Sequence, residues 1–82
     1  MKYVQFFVLN DNAEAEKRGR VILKNGKVIY ESIPPGLQDD LEGGVPIKGQ
    51  VIMPADGLAF LEAIVRGYSR GSRLYTGPVE EE

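Results

Sequence analysis

The residues of this chain best placed to do chemistry are carboxylates. Asp39, Asp40 and Glu42 cluster within four positions, and Asp56 stands fourteen residues further on. Carboxylates can hold Mg²⁺ or Ca²⁺, or act as an acid and base pair across a cleft. Their spacing does not fit a calcium loop, because D-x-[DN]-x-[DN]-G is absent. A chain with one main helix offers no deep cleft for a carboxylate pair. These acids therefore read as a solvated helix face. Histidine and cysteine are both absent, which removes the usual general base near neutral pH and the thiolate nucleophile. Ser32, Ser69, Ser72 and Thr76 would need a lysine or carboxylate base. No Ser-x-x-Lys or Gly-x-Ser-x-Gly accompanies them. No catalytic residue, metal site or cofactor is expected.

Two glycine patterns carry no better signal. Gly43 to Gly49 includes Lys48 but lacks the G-x-x-x-x-G-K-[ST] of a phosphate loop. Gly67-x-x-x-Gly71 has helix-packing spacing without an apolar span around it, and helix termination explains it more simply.

The basic residues form two groups. Lys17, Arg18, Arg20, Lys24 and Lys27 occupy the first third of the chain, and Arg66, Arg70 and Arg73 alternate with Tyr68 and Tyr75. Arginine pairs with phosphate and tyrosine stacks on unpaired bases. Arg66, Arg70, Arg73 and Tyr75 thus support an alternative function, weak single-stranded nucleic-acid binding. No recognised nucleic-acid motif accompanies them, and Tyr68 falls on an apolar helix stripe.

Composition bounds the rest. The chain has 82 residues, 43% hydrophobic and 27% charged, with a formal net charge of -2, enough for one small core. No apolar run approaches a membrane span. The amino-terminal stretch lacks a small-residue cleavage site and does not read as a signal peptide. A cysteine-free domain of this kind is expected in the cytoplasm. A core this small supplies about 3–5 kcal/mol without disulfides, so self-association is a reasonable expectation. Charge is blocked along the chain: residues 1–30 carry net +3, 31–62 net -5, 63–79 net +3, and Glu80, Glu81 and Glu82 net -3.

The elements that must position these residues follow from periodicity. Residues 2–9 read as a strand with Val4, Phe6 and Val8 on one face and Tyr3, Gln5, Phe7 and Leu9 on the other. Residues 10–19 read as a polar, mobile loop. Asn25-Gly26 then predicts a two-residue hairpin. Its register pairs Arg20 with Glu31, Val21 with Tyr30, Ile22 with Ile29, Leu23 with Val28 and Lys24 with Lys27. Val21, Leu23, Val28 and Tyr30 form its core face. Pro35 opens a short helix through Glu42, stopped by Gly43-Gly44. Residues 45–49 read as extended loop, and 50–53 as a brief strand. Residues 54–68 are predicted as the main helix, with Leu58, Leu61, Ile64 or Val65 and Tyr68 on its stripe and Phe60 beside it. A last strand spans Arg73–Thr76, ended by Gly77-Pro78. The expected organisation is a single α+β domain over 1–79, with 80–82 a disordered acidic tail. Its small antiparallel sheet of three to four strands is covered on one face by one main helix.

That architecture leaves sheet surface over. Tyr3, Gln5, Phe7, Ile22 and Ile29 fall on a face the helix does not reach, and an uncovered apolar face marks a partner or homodimer interface. Ile33, Leu37, Leu41, Val45 and Ile47 offer an alternative cover from within the chain.

The hairpin Gly19-x-Val21…Asn25-Gly26-Lys27-Val28, with Pro54-x-Asp56-Gly57-x-x-Phe60-Leu61-x-Ala63, resembles a loosely defined group of small prokaryotic proteins of unknown function. They share a hairpin, a proline-bearing middle segment and a P-x-D-G-x-x-[FY]-L helix start. The likeness covers about two-thirds of the chain, and it implies an α+β fold and a prokaryotic, cytoplasmic protein without implying an activity. The function expected is a non-enzymatic protein–protein interaction module that self-associates as a homo-oligomer through a sheet face or edge, with no membrane partner.

Overall fold

A computed structural model describes residues 1–68 and 73–82. The elements run β1 (Lys2–Leu9), β2 (Ala15–Lys24), β3 (Lys27–Glu31), α1 (Pro35–Glu42), β4 (Val45–Ile47), β5 (Gln50–Ile52), a 3-10 turn (Pro54–Asp56), α2 (Leu58–Gly67) and β6 (Leu74–Glu81). Four strands form one sheet in the order β3-β2-β1-β6, and β4 pairs with β5 in a second, two-stranded sheet. All pairings are antiparallel. The fold is α+β, as expected.

The β2–β3 hairpin has the register that Asn25-Gly26 dictates, from Arg20 opposite Glu31 to Lys24 opposite Lys27. Asn25 (φ 53°) and Gly26 (φ 75°) both take left-handed backbone, the conformation that matches a two-residue turn to strand twist.

The chain leaves β3 at one edge of the sheet, crosses a single face, and returns as β6 at the other edge. The described residues between them, through Tyr68, pack on that face. Val4, Phe6 and Val21 from the sheet, Ile33, Leu41 and Val45 from the crossing segment, and Phe60, Leu61, Ala63 and Ile64 from α2 form one buried cluster. Leu37 and Ile47 pack against its margin. Tyr68 also packs there, its ring centroid 6.1 Å from that of Phe6. Each large apolar side chain so buried contributes about 1.5–3 kcal/mol.

Several local expectations are corrected. Residues 15–19 are strand rather than loop, because Phe6–Leu9 needs hydrogen-bonding partners and Ala15–Gly19 supplies them. The remaining turn is held by Asn10, whose Oδ1 accepts the backbone N–H groups of Asn12 and Glu14, each at 2.9 Å. Residues 45–52 form a hairpin about Lys48 and Gly49, both with positive φ. Pro46 is tolerated because this ribbon has only two strands, so each has a free side. The main helix does not begin at Pro54. Gly57 (φ 61°) separates the 3-10 turn from α2. The helix buries Phe60, Leu61, Ala63 and Ile64, while Leu58 and Val65 are each 37% exposed. Gly71, expected to mark the helix end, lies outside the described residues.

The last strand does not stop at Gly77-Pro78. The register passes from Val4–Val79 to Phe6–Thr76, so β6 absorbs one extra residue as a bulge. Pro78 is compatible with an edge strand, which has one side without ladder partners. Glu80 and Glu81 then pair with Tyr3 and Lys2, and the Glu82 N–H donates to the Met1 carbonyl at 2.8 Å. Glu80 and Glu81 thus belong to β6, with Glu82 bonded beside the strand end.

Candidate functional site

Alternation along the strands sends half of the sheet's side chains to the face opposite the core. With the observed register, these fall into rows across β3, β2, β1 and β6. Ile29, Ile22, Tyr3 and Glu80 form one row; Glu31, Arg20 and Gln5 form the next; Lys17, Phe7 and Tyr75 follow. Among the described residues no helix, hairpin or loop lies over them. The alternative cover is excluded: Ile33, Leu37, Leu41, Val45 and Ile47 all pack with the core cluster on the other side.

The five residues singled out on the sequence, Tyr3, Gln5, Phe7, Ile22 and Ile29, therefore share one open face. Their burial is unequal. Ile22 is only 5% exposed yet stands outside the core cluster, whereas Ile29 and Tyr75 are 45% and 49% exposed. Ile22 is shielded within the face itself, between Tyr3 and Ile29 in the same row. Gln5 is not free to reach outward, since its Nε2 donates to the Gly19 and Phe6 carbonyls at 2.9 and 3.0 Å.

Arg20 organises the polar part. Its Nε and Nη2 donate to the two carboxylate oxygens of Glu31 at 2.9 and 3.2 Å, and its Nη1 reaches Glu82 at 3.4 Å. The guanidinium lies over the Tyr3 ring, 4.9 Å from its centroid. This fork donation holds the Glu31 carboxyl below its ordinary range and raises Arg20 further. Tyr3 is raised by loss of solvent, then by the neighbouring Glu80 carboxylate, which accepts a hydrogen bond from its hydroxyl.

The other candidates are not brought together. Arg66 stands on α2, beside Ile47, Ile52 and Glu62 on the helical layer. Arg73 stands just before β6, bonded to Asp11 at 3.2 Å, and Tyr75 is on the open face. Arg70 lies outside the described residues. Asp39, Asp40 and Glu42 are exposed on α1, and Gln38 donates to Glu42 at 2.8 Å. Asp56 is occupied in accepting the Met53 N–H at 2.8 Å, which closes the 3-10 turn. Among the described residues no three carboxylates converge as a metal site, and no helix is long and apolar enough to cross a membrane.

Sequence reasoning missed Glu80 and Glu82 as members of this face. The available signal was the alternation of Leu74, Thr76 and Val79 across Gly77-Pro78, which continues the strand once a bulge is allowed. A shallow hollow between β3 and the 3-10 turn is lined by Lys27, Tyr30, Glu42 and Pro54. The chain matches no protein-family model, no curated protein and no solved structure.

Proposed function

We propose that this protein is a non-enzymatic protein–protein interaction module that self-associates through the open face of its sheet. The observation that carries the reading is the one-sidedness of the fold. Both helices and the β4–β5 hairpin pack on one face, while the other carries Ile29 and Tyr75 exposed and Tyr3 and Phe7 half-buried, with no described helix or hairpin over them. Exposed apolar surface of this kind is stabilised by a partner. A cytoplasmic address and a prokaryotic source belong to the same proposal and rest on composition and on the resemblance.

Weak nucleic-acid binding through residues 66–75 is less well supported, because Arg66 and Tyr75 belong to opposite layers. Sedimentation velocity tests the preferred reading. The weight-average mass of the native chain should rise with concentration. Ile29→Glu, at a position already 45% exposed, should leave the fold intact and hold the protein monomeric. A native chain that stays monomeric over the whole range refutes self-association. Retardation of a labelled oligonucleotide at low salt that weakens as salt rises would instead favour the nucleic-acid reading.

A further inference from the structure

The open face is electrically divided. Its β3–β2 half carries Lys27, Lys24, Arg20 and Lys17 against the single acid Glu31, by strand alternation and register. The β1–β6 half carries Glu80 and Glu82, the latter reached across the divide by Arg20 at 3.4 Å and flanked by the Met1 ammonium, with Arg73 at the far end already bonded to Asp11. Lys24 and Lys27 make no ion pair among the described residues. The dividing line runs between β2 and β1, parallel to the strands.

From this division, and resting on the self-association proposed above, we infer that the occupant of the open face is a second copy of this chain, related by a two-fold axis that runs along the strands between β1 and β2. The symmetry argument is direct. Rotation about an axis in the plane of the interface and parallel to the strands exchanges left and right. The β2–β3 half of each copy then lies over the β1–β6 half of the other. By row, Lys27 then lies over Glu82 of the second copy, with Lys24 beside it, and this contact is made twice. Ile22 comes to lie over Tyr3 of the second copy at the centre. An axis across the strands would instead set basic half on basic half, which like charges disfavour. A two-fold interface must be self-complementary, and only the first orientation makes this face so.

Size fixes the strength. Four strands about 4.8 Å apart and eight residues of about 3.3 Å give a footprint of about 500 Å² per copy. The total of about 1,000 Å² sits at the threshold for a specific interface. The dimer is therefore weak and reversible, and its orientation depends on the charged margins.

Two charge reversals test the geometry. One variant carries Lys24→Glu and Lys27→Glu; the other carries Glu80→Lys and Glu82→Lys. All four positions are exposed, and circular dichroism checks that both variants fold. Each variant alone should dimerise about tenfold more weakly than the native chain, since the Lys27–Glu82 contact, made twice, becomes repulsive between the changed margins. An equimolar mixture should recover native-like affinity as a heterodimer. If the native chain dimerises but the reversals change nothing, or the mixture does not recover, the two-fold arrangement is wrong while self-association stands. If the native chain is monomeric throughout, the underlying reading fails and the geometry with it.

Discussion

The guanidinium of Arg20 lies over the ring of Tyr3, 4.9 Å from its centroid, at the centre of the face that no described element covers. The same guanidinium grips Glu31 on β3 with two hydrogen bonds and reaches Glu82 beyond β1. One side chain thereby ties three strands and the chain end together over an aromatic ring. This makes the open face an ordered surface, fixed before any partner arrives.

The Arg20–Glu31 pair gives a pH dependence of known sign. Glu31 is held below the ordinary glutamate range by the Arg20 hydrogen bonds. Its contribution to stability is present above the ordinary value and lost as pH falls through the depressed one. NMR titration of the side-chain carboxyl carbon should show Glu31 protonating later than the other glutamates on acidification. Arg20→Ala should return it to the ordinary range.

Gly19 should not tolerate a side chain. It is buried opposite Phe6, where the backbone that leaves β3 crosses close by. A Cβ there would lie 2.6 Å from the Glu31 carbonyl oxygen and nearer still to that of Ser32. Because backbone must move rather than a side-chain tip, Gly19→Ala should cost about 1–3 kcal/mol, read as a lower urea midpoint. Gly36→Ala, where nothing lies near, is the control.

Most of the sheet was legible because its signals are local. Asn25-Gly26 fixed both turn and register, and the aromatic and β-branched run at 2–9 fixed β1. The open-face residues followed from period-two alternation and the absence of a second long helix. What escaped notice depends on contacts distant in sequence. Ala15–Gly19 has the composition of a loop and is strand only because Phe6–Leu9 lies alongside. Pro46 and Gly77-Pro78 normally interrupt strands, and here stand in a two-stranded ribbon and an edge bulge that local propensity does not reveal. The side taken by the crossing segment was decided by Leu41 and Val45 joining Phe60 and Ile64, which no spacing rule encodes.

Tyr30 should mark the alkaline limit of stability. Its hydroxyl is buried with no hydrogen-bond partner among the described residues. Burial, with the Glu42 charge, pushes its pKa up to about 12. The fold therefore favours the neutral phenol, and this contribution is present below about pH 10 and lost as pH rises towards the shifted value. In an ultraviolet titration Tyr30 should ionise late, above the ordinary tyrosine range. Tyr30→Phe should remove that late step and leave stability equal or higher, because an unpaired buried hydroxyl is costly.

The single core should have little reserve. Phe60 and Leu61 are fully buried on α2, and truncation of such residues costs about 2–5 kcal/mol. That is comparable with the whole stability of a domain this size, about 3–5 kcal/mol. Phe60→Ala should therefore be largely unfolded at room temperature by circular dichroism. Leu58→Ala, at a position 37% exposed, should remain folded.

A dilution series of amide NMR spectra tests most directly whether a second copy covers the open face. On raising the concentration, the amides of Tyr3, Phe7, Ile22, Ile29 and Tyr75 should shift together along one binding curve, while those of α2 stay fixed. Concentration-independent spectra, or shifts centred on α1 and α2 instead, would contradict it.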